Sequence, residues 1–196
     1  MSFHRLIASD VDGTLIPEES TFMPEIMWQR IEEIWEKGCL FIAASGRQYP
    51  SLRALFAPVA DHMAFLAENG AGLYYRDELV AERFFDRQLA LELARYVREI
   101  PGCELIAGGV ESCIFPKTQA FADHVYREMK LQVREVHSFD ELPEKMMKIA
   151  IWCPDGVENH VDAISRDWGG RFKFAVSGSV WIDFNAADKG LGLTSA

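Results

Sequence analysis

Short apolar runs alternate with helical stripes along the first third of the chain. Residues 6–9 form an apolar run that predicts a buried parallel strand ending at Asp10. From Pro24, apolar residues recur every three or four positions, which predicts a helix that ends at Gly38. Residues 39–44 and 64–67 predict two more buried strands with a short helix between them. This order favours a parallel α/β sheet with crossover helices.

The pattern changes near residue 72. Two apolar runs flank Arg76-Asp77-Glu78 and predict a hairpin over residues 73–84. The helices predicted beyond it span residues 89–100, 118–129 and 157–168, and the strands span residues 103–106, 112–115, 147–153, 172–176 and 180–184. We expect antiparallel strands with helices to one side. The predicted division is a core of residues 1–79 and 184–196, with residues 80–183 inserted as a second α/β unit.

The charge and the cysteines narrow the choice of partners and location. The formal net charge of −10 argues against nucleic acids and anionic membranes, because both would repel the chain. The four cysteines form no C-x-x-C pair, and no histidine lies at zinc-ligand spacing, so we expect reduced thiols. No targeting segment or membrane span is visible. A cytoplasmic protein is therefore expected.

The first predicted strand leads directly into Asp10-Val11-Asp12-Gly13-Thr14. Two carboxylates at the carboxyl end of a parallel strand lie where open α/β sheets place their ligand crevice. Asp10 can attack phosphorus and form an aspartyl-phosphate, while Asp12 protonates the leaving oxygen and then activates water. Gly13 allows a turn whose backbone N–H groups face a phosphate. The alternative is an ordinary acidic turn.

This segment matches D-x-D-G-T, the first motif of the haloacid dehalogenase superfamily, letter for letter. Ala44-Ser45-Gly46-Arg47 resembles the A-[ST]-G-R segment of the Cof-type, sugar-phosphatase-like branch, also called subfamily IIB. Glu68-Asn69-Gly70-Ala71 resembles its N-G-A segment. Residues 181–190 resemble its L-E-I-x-P-x-x-x-S-K-G segment, in which Lys189 matches the lysine. Taken singly, these segments also fit a routine loop, a tight Asn-Gly turn and a surface lysine.

The resemblance implies a Rossmann-like core with an inserted α/β cap of the C2B type. It makes Asp10 the nucleophile and a Mg²⁺ ligand, and Asp12 the acid/base and a second ligand through its backbone carbonyl. The residues implied for the phosphate site are Ser45, Gly46, Arg47, Asn69 and Lys189. The implied activity is hydrolysis of a small phosphorylated metabolite, such as a sugar phosphate or a cofactor phosphate.

The fourth motif of the superfamily, an acidic G-D-x-x-N-D type segment, has no match here. It is expected some tens of residues after Lys189, whereas residues 190–196 contain no carboxylate. We therefore expect weak metal binding and a chain that is catalytically poor or inactive. The strand that leads to Asp10 is then expected to expose an apolar edge through which copies self-associate. A fragment, a frameshift product and a natural short form all fit this sequence.

Three alternatives to a phosphatase follow from the same residues. A non-catalytic remnant that binds a phosphate ester or a partner protein fits the absent fourth motif. A hexose phosphate mutase would share Asp10 and Asp12 but transfer the phosphoryl group to a second sugar. A receiver-type signalling domain places its acceptor aspartate after the third strand and carries no such insertion, so it fits poorly.

Overall fold

The protein divides into two compact units. The structure is a computed structural model that describes residues 3–17, 22–129 and 131–194. The core unit comprises Met1–Glu82 with Ala187–Ala196, and the inserted unit comprises Arg83–Ala186. Each junction lies three residues later than predicted, at 82/83 instead of 79/80 and at 186/187 instead of 183/184. The first lies later because the second hairpin strand, Glu78–Glu82, belongs to the core sheet.

The described residues form both strands and helices. In chain order they are β1 (Arg5–Asp10), α1 (Glu25–Glu36), β2 (Cys39–Ala44), α2 (Tyr49–Leu55), β3 (Met63–Ala67), β4 (Gly72–Tyr75), β5 (Glu78–Glu82), α3 (Arg87–Glu99), β6 (Glu104–Gly109), β7 (Cys113–Ile114), α4 (Gln119–Asp123), β8 (Arg134–Glu135), β9 (Met146–Trp152), α5 (Val161–Trp168), β10 (Lys173–Val176), β11 (Trp181–Asn185) and α6 (Lys189–Leu193). Among the described helices, none has both the length and the apolar character needed to cross a membrane.

The core unit is built on a sheet of order β1-β2-β3-β4-β5 within the described ranges. Strands β1, β2 and β3 are parallel, as predicted, and β4 and β5 continue the sheet antiparallel. Strand β2 is buried on both faces, because its Phe41 packs with Leu52 and Phe56 of the α2 region, whereas Ile42 packs on the other face with Leu193 of α6. The predicted α/β fold is therefore confirmed for the core.

The strand that leads to Asp10 is not buried, and the prediction on this point was wrong. In the described sheet β1 lies at the end and pairs with β2. Leu6 is 50% exposed and Ile7 is 39% exposed. Burial of a parallel strand requires neighbours on both faces, which its apolar sequence alone does not supply. The exposed apolar edge expected for this strand is present, and self-association through it stays a prediction.

The inserted unit has a sheet of order β10-β11-β9-β6-β7-β8 in the described part of the chain. Its pairs are antiparallel except for the parallel pair β7–β8. Along β9, Ile149 and Ile151 pack in the cluster that includes α3 and α5, whereas Ala150 packs with Phe121 and Val125 of the α4 region. Helices therefore cover both faces, so the prediction of helices on one side was wrong.

Several predicted elements of the inserted unit have different bounds. The helix expected over residues 118–129 is capped by Thr118, ends as an α-helix at Asp123 and continues as a π-helix over His124–Glu128. The helix expected over residues 157–168 begins with a short 3₁₀ turn, and α5 follows it. Strand β8 was missed because two residues show no alternation of apolar and polar positions.

Helix α6 packs against the turn after β3 through two glycines. Gly70 has φ 97°, and a Cβ added to it would lie 2.3 Å from the carbonyl oxygen of Asp188. A Cβ on Gly192 would lie 2.6 Å from the carbonyl oxygen of Gly70. The two backbones therefore approach each other more closely than any side chain permits. This contact brings Lys189, the first residue of α6, to one end of the core sheet.

Replacing Gly70 should loosen this contact. We expect Gly70→Ala to lower the free energy of unfolding by about 2 to 3 kcal/mol, because the added Cβ meets backbone atoms that cannot rotate away. The control is Gly38→Ala, which has φ 71° but meets only the His4 side chain at 3.2 Å, and which should cost about 1 kcal/mol. Equal losses for the two variants in urea unfolding would contradict the proposed contact.

The exposed edge of β1 leads to a prediction about association. Because unpaired strand edges with apolar side chains pair readily with other chains, the protein should self-associate as its concentration rises. A charge introduced by Ile7→Lys should weaken the association measured by sedimentation velocity. The control is Val110→Lys, which changes an exposed residue of the inserted unit (57% exposed). This variant should self-associate as strongly as the wild type. A monomer at every concentration contradicts the prediction.

Candidate active site

The predicted site residues meet at one edge of the core sheet. In the parallel ladder Asp10 is paired with Ala44, the last residue of β2, and Ala44 is paired with Leu66 of β3. Ser45 follows β2 directly, and its backbone N–H donates to the Leu66 carbonyl oxygen at 2.9 Å. Because parallel strands end on the same side, the loops after β1, β2 and β3 come together there. This is the usual position of the ligand crevice in an open α/β sheet.

The loop after β1 makes a tight turn around the buried residue Val11. Val11 is fully buried, and its carbonyl oxygen accepts hydrogen bonds from the N–H groups of Leu15 and Ile16, each at 2.9 Å. Gly13 has φ 77°, the left-handed conformation that glycine adopts without strain. The side chains of Asp10 and Asp12 are about half exposed, at 47% and 50%. The turn thus holds both carboxylates at the surface of the crevice.

Lys189 is paired with Asp10. Its Nζ lies 2.6 Å from Oδ1 of Asp10, and the N–H of Val11 donates to the same oxygen at 2.8 Å. These residues are 179 positions apart in the chain, and the contact of α6 with Gly70 brings them together. The lysine of the resemblance therefore lies where it can neutralise negative charge next to Asp10.

Asp12 is held by Arg47 and Ser45. The Arg47 guanidinium donates to both carboxylate oxygens, from Nη2 at 2.7 Å and from Nε at 3.1 Å, and Ser45 Oγ donates to Oδ2 at 3.2 Å. The hydrogen bonds from Arg47 are the main reason that the pKa of Asp12 lies below its ordinary value, and Ser45 and Lys189 act in the same direction. Asp12 is therefore ionised at neutral pH in this arrangement.

Asn69 lies against the loop that carries Ser45 and Arg47. A Cβ on Gly46 would lie 2.8 Å from Oδ1 of Asn69, so the absence of a side chain at Gly46 leaves room for the amide. The N–H of Asn69 donates to the Ser45 carbonyl oxygen at 3.1 Å, and the N–H of Glu68 donates to the Arg47 carbonyl oxygen at 3.1 Å. The loops after β2 and β3 are thus joined by backbone hydrogen bonds. Asn69 itself is in the left-handed conformation, with φ 54°.

All the residues predicted for the site thus lie at this edge of the core unit. Hydrogen bonds link Asp10 to Lys189, and Asp12 to Ser45 and Arg47. The sequence did not predict the direct bonds of Ser45 and Arg47 to Asp12, since both residues were expected to contact a phosphoryl group. It also assigned no role to Gly70, although a glycine at this position of the N-G-A segment signalled a close backbone approach. The arrangement presents two carboxylates with two cationic side chains beside them.

Comparison with known proteins places the chain in a family. The family model for haloacid dehalogenase-like hydrolases matches residues 7–193. The chain is 28% identical over 152 residues to the 5-amino-6-(5-phospho-D-ribitylamino)uracil phosphatase YbjI of Escherichia coli, a match that covers 77% of this chain and 56% of that protein. It is 26% identical over 147 residues to the phosphoglycolate phosphatase of Sulfolobus acidocaldarius, with 64% of each chain covered.

Solved structures share the fold. A protein from Eubacterium rectale superposes with a TM-score of 0.84 and 25% identity, over 96% of this chain and 74% of that one. A sugar phosphatase of subclass IIB of the superfamily superposes with a TM-score of 0.76 and 16% identity, over 97% of this chain and 74% of that one. This chain spans a little over half the length of the curated relative from Escherichia coli. On the match of residues 7–193 and the fold that they form, the chain belongs to the haloacid dehalogenase-like hydrolase family.

Proposed function

We propose that this chain carries the catalytic residues of a magnesium-dependent hydrolase of phosphate monoesters. The observation that carries the proposal is the pair of carboxylates, Asp10 and Asp12, at the end of β1 with Lys189 and Arg47 bonded to them. A nucleophilic carboxylate and a phosphate dianion repel each other unless positive charge lies beside both. Lys189 and Arg47 supply two such charges.

The reaction we propose has two halves. In the first, a carboxylate oxygen of Asp10 attacks phosphorus, the bond from phosphorus to the ester oxygen breaks, and Asp12 gives a proton to the departing alcohol. This leaves an aspartyl-phosphate on Asp10. In the second half a water molecule attacks phosphorus, Asp12 takes up its proton, and the bond from phosphorus to Asp10 breaks to release inorganic phosphate.

The bond from Arg47 to Asp12 bears on the first half. A general acid must carry a proton when the substrate is bound, yet the Arg47 guanidinium stabilises the ionised form of Asp12. A bound phosphate offers Arg47 a second bidentate partner. Phosphate binding that draws Arg47 away would raise the pKa of Asp12, so substrate binding itself would prepare the acid.

The residues at this edge fit a magnesium ion. Mg²⁺ binds oxygen ligands, keeps several waters and commonly uses one or two carboxylates, and Asp10 offers an exposed carboxylate at the crevice. We propose that Asp10 holds the ion through its side chain and Asp12 through its backbone carbonyl, as the family resemblance implies. When bound, the ion would neutralise charge on the phosphoryl oxygens. The metal ligands of the fourth motif have no match in this sequence, which is why we expect slow turnover from this chain.

The names of two relatives support a proposal for the substrate class. The named relatives act on 5-amino-6-(5-phospho-D-ribitylamino)uracil and on phosphoglycolate, which are small phosphorylated metabolites. We propose a substrate of this class, a sugar phosphate or a cofactor phosphate. The inserted unit has the α/β composition expected of a substrate-selecting cap, and we assign it that role.

A second candidate is a remnant that binds phosphate esters without hydrolysing them. It would use the same positive charges, Lys189 and Arg47, to hold the phosphate. A third candidate, a hexose phosphate mutase, would use the same two aspartates, Asp10 and Asp12. The products separate the three, since a hydrolase releases inorganic phosphate, a mutase phosphorylates an added sugar and a remnant does neither.

The nucleophile can be tested directly. With Mg²⁺ and a generic aryl phosphate, Asp10→Asn should lower the rate of phosphate release by about a thousandfold or more, because an amide oxygen does not form the covalent intermediate. Asp61→Asn, which changes another carboxylate of the core unit that pairs with Arg53, should retain the wild-type rate. Turnover that survives both Asp10→Asn and a chelator would overturn the proposal. No turnover from folded wild-type protein would favour the remnant.

The role of Arg47 predicts a change in titration. In the metal-free protein, Arg47→Ala should raise the pKa of Asp12 toward its ordinary value, as read from carboxyl ¹³C shifts. The lowered pKa stabilises the fold at neutral pH and the contribution is lost as the pH falls through that pKa. The stability difference between wild type and Arg47→Ala should therefore vanish in acid. Arg53→Ala, which breaks pairs with Asp61 and Asp77, should leave the titration of Asp12 unchanged; an unmoved Asp12 in Arg47→Ala contradicts the account.

A further inference from the structure

Two cysteines and a histidine of the inserted unit lie together, far from the proposed active-site residues in the sequence. Glu104 of β6 is paired with Trp152 of β9 in an antiparallel ladder, so Cys103 and Cys153 lie opposite each other one position beyond it. Side chains that are opposite each other across an antiparallel pair point to the same face. Both cysteines are fully buried.

His160 reaches the same place from a short loop. The loop between Cys153 and His160 is folded on itself, with the N–H of Gly156 donating to the Cys153 carbonyl oxygen at 3.0 Å and the N–H of His160 donating to the Val157 carbonyl oxygen at 3.0 Å. A ring nitrogen of His160 and the two Sγ atoms all lie within 4.8 Å of one another. Three side chains of the types that bind metals thus lie together, carried by hydrogen-bonded backbone.

The sulfur atoms are spaced as ligands of one ion. They are 3.5 Å apart, whereas the sulfurs of a disulfide are bonded at about 2.05 Å. Two thiolates on a tetrahedral zinc ion, each at about 2.3 Å from the metal, lie about 3.8 Å from each other. The observed spacing therefore needs only a small adjustment to accept zinc.

The imidazole of His160 is hydrogen-bonded to a carboxylate, as metal-binding histidines commonly are. Its Nε2 lies 2.9 Å and 3.0 Å from the two carboxylate oxygens of Asp155. A carboxylate that accepts from one ring nitrogen leaves the other with its lone pair, which is the form that ligates. The side chain of His160 is 13% exposed and that of Asp155 is 53% exposed, so the cluster meets solvent on the side of the histidine and the carboxylate.

The hydrogen bond between the two thiols favours one thiolate. It is the main reason that the pKa of Cys103 lies below its ordinary value, and together with burial it holds the pKa of Cys153 well above its ordinary value. Burial raises the pKa of Cys113, in the same unit, to about 11. The thiolate is the form of cysteine that binds metals.

We propose that Cys103, Cys153 and His160 form a zinc site in the inserted unit, with a fourth position open to water or another ligand. On binding, the two thiols release two protons to solvent and the ion is held by two thiolates and one neutral imidazole. The ion joins the start of β6, the end of β9 and the start of α5. It therefore stabilises the inserted unit and is separate from the magnesium chemistry proposed for the core.

The test uses the reduced, metal-free 196-residue chain with excess Mg²⁺ to occupy the carboxylate site. Co²⁺ should bind one per chain and give sulfur-to-metal charge-transfer absorption, and Zn²⁺ should displace it. Cys103→Ser and Cys153→Ser should each abolish the absorption and weaken zinc binding by about 100-fold or more, and Asp155→Asn by about 10-fold. The control is Cys113→Ser, which changes another buried cysteine of the inserted unit. It should leave both the absorption and the affinity for zinc unchanged.

Three results would overturn the site. The first is wild-type protein that binds no Zn²⁺ in competition with a chelator while its thiols stay reduced, which would make the pair simple core cysteines. The second is a Cys103–Cys153 disulfide that forms in air and is not prevented by Zn²⁺. The third is zinc binding that survives both cysteine variants. Because Asp155 is exposed, Asp155→Asn tests the site even if a core cysteine variant fails to fold.

Discussion

Two carboxylates at the end of one strand repel each other and any phosphate that approaches them, so positive charge must lie within hydrogen-bonding distance. The core unit meets this requirement from two distant parts of the chain. Arg47, which follows β2, neutralises Asp12, and Lys189, which begins α6, neutralises Asp10. The backbone contact between Gly70 and Asp188 determines where Lys189 lies. The charge balance of the site therefore depends on how closely two segments of backbone can approach.

The sequence predicted the parallel strands and the position of Asp10 because these follow from local patterns, an apolar run and the turn after it. The apolar run alone predicted a buried β1, and its exposure was expected only from the missing fourth motif, because burial depends on what lies beside a strand and not on the strand itself. The place of Lys189 in the same site as Asp10 was predicted only through the family resemblance. A residue 179 positions from Asp10 carries no local signal of its place.

The same distinction explains what was missed in the inserted unit. Spacing rules for zinc ligands compare cysteines and histidines that are near in sequence, whereas Cys103 and Cys153 are fifty residues apart and meet through the register of β6 and β9. Likewise, Ile149 and Ile151 of β9 face one side of the sheet and Ala150 faces the other. Apolar side chains therefore lie on both faces, and helices pack on both. Pairing between strands decides both features, and the local patterns of a single sequence do not reveal which strands pair.

If Asp10 receives the phosphoryl group, that group can be found on the protein, and looking for it there is the most direct measurement. The chain would be mixed with Mg²⁺ and an aryl phosphate, quenched in acid after a short time and mapped by peptide mass spectrometry. This detects the first half of the reaction even where turnover is slow. The account predicts a phosphoryl group on the peptide that contains Asp10, at that residue. Phosphate release with no phosphorylated peptide, or with the group on another residue, would contradict it.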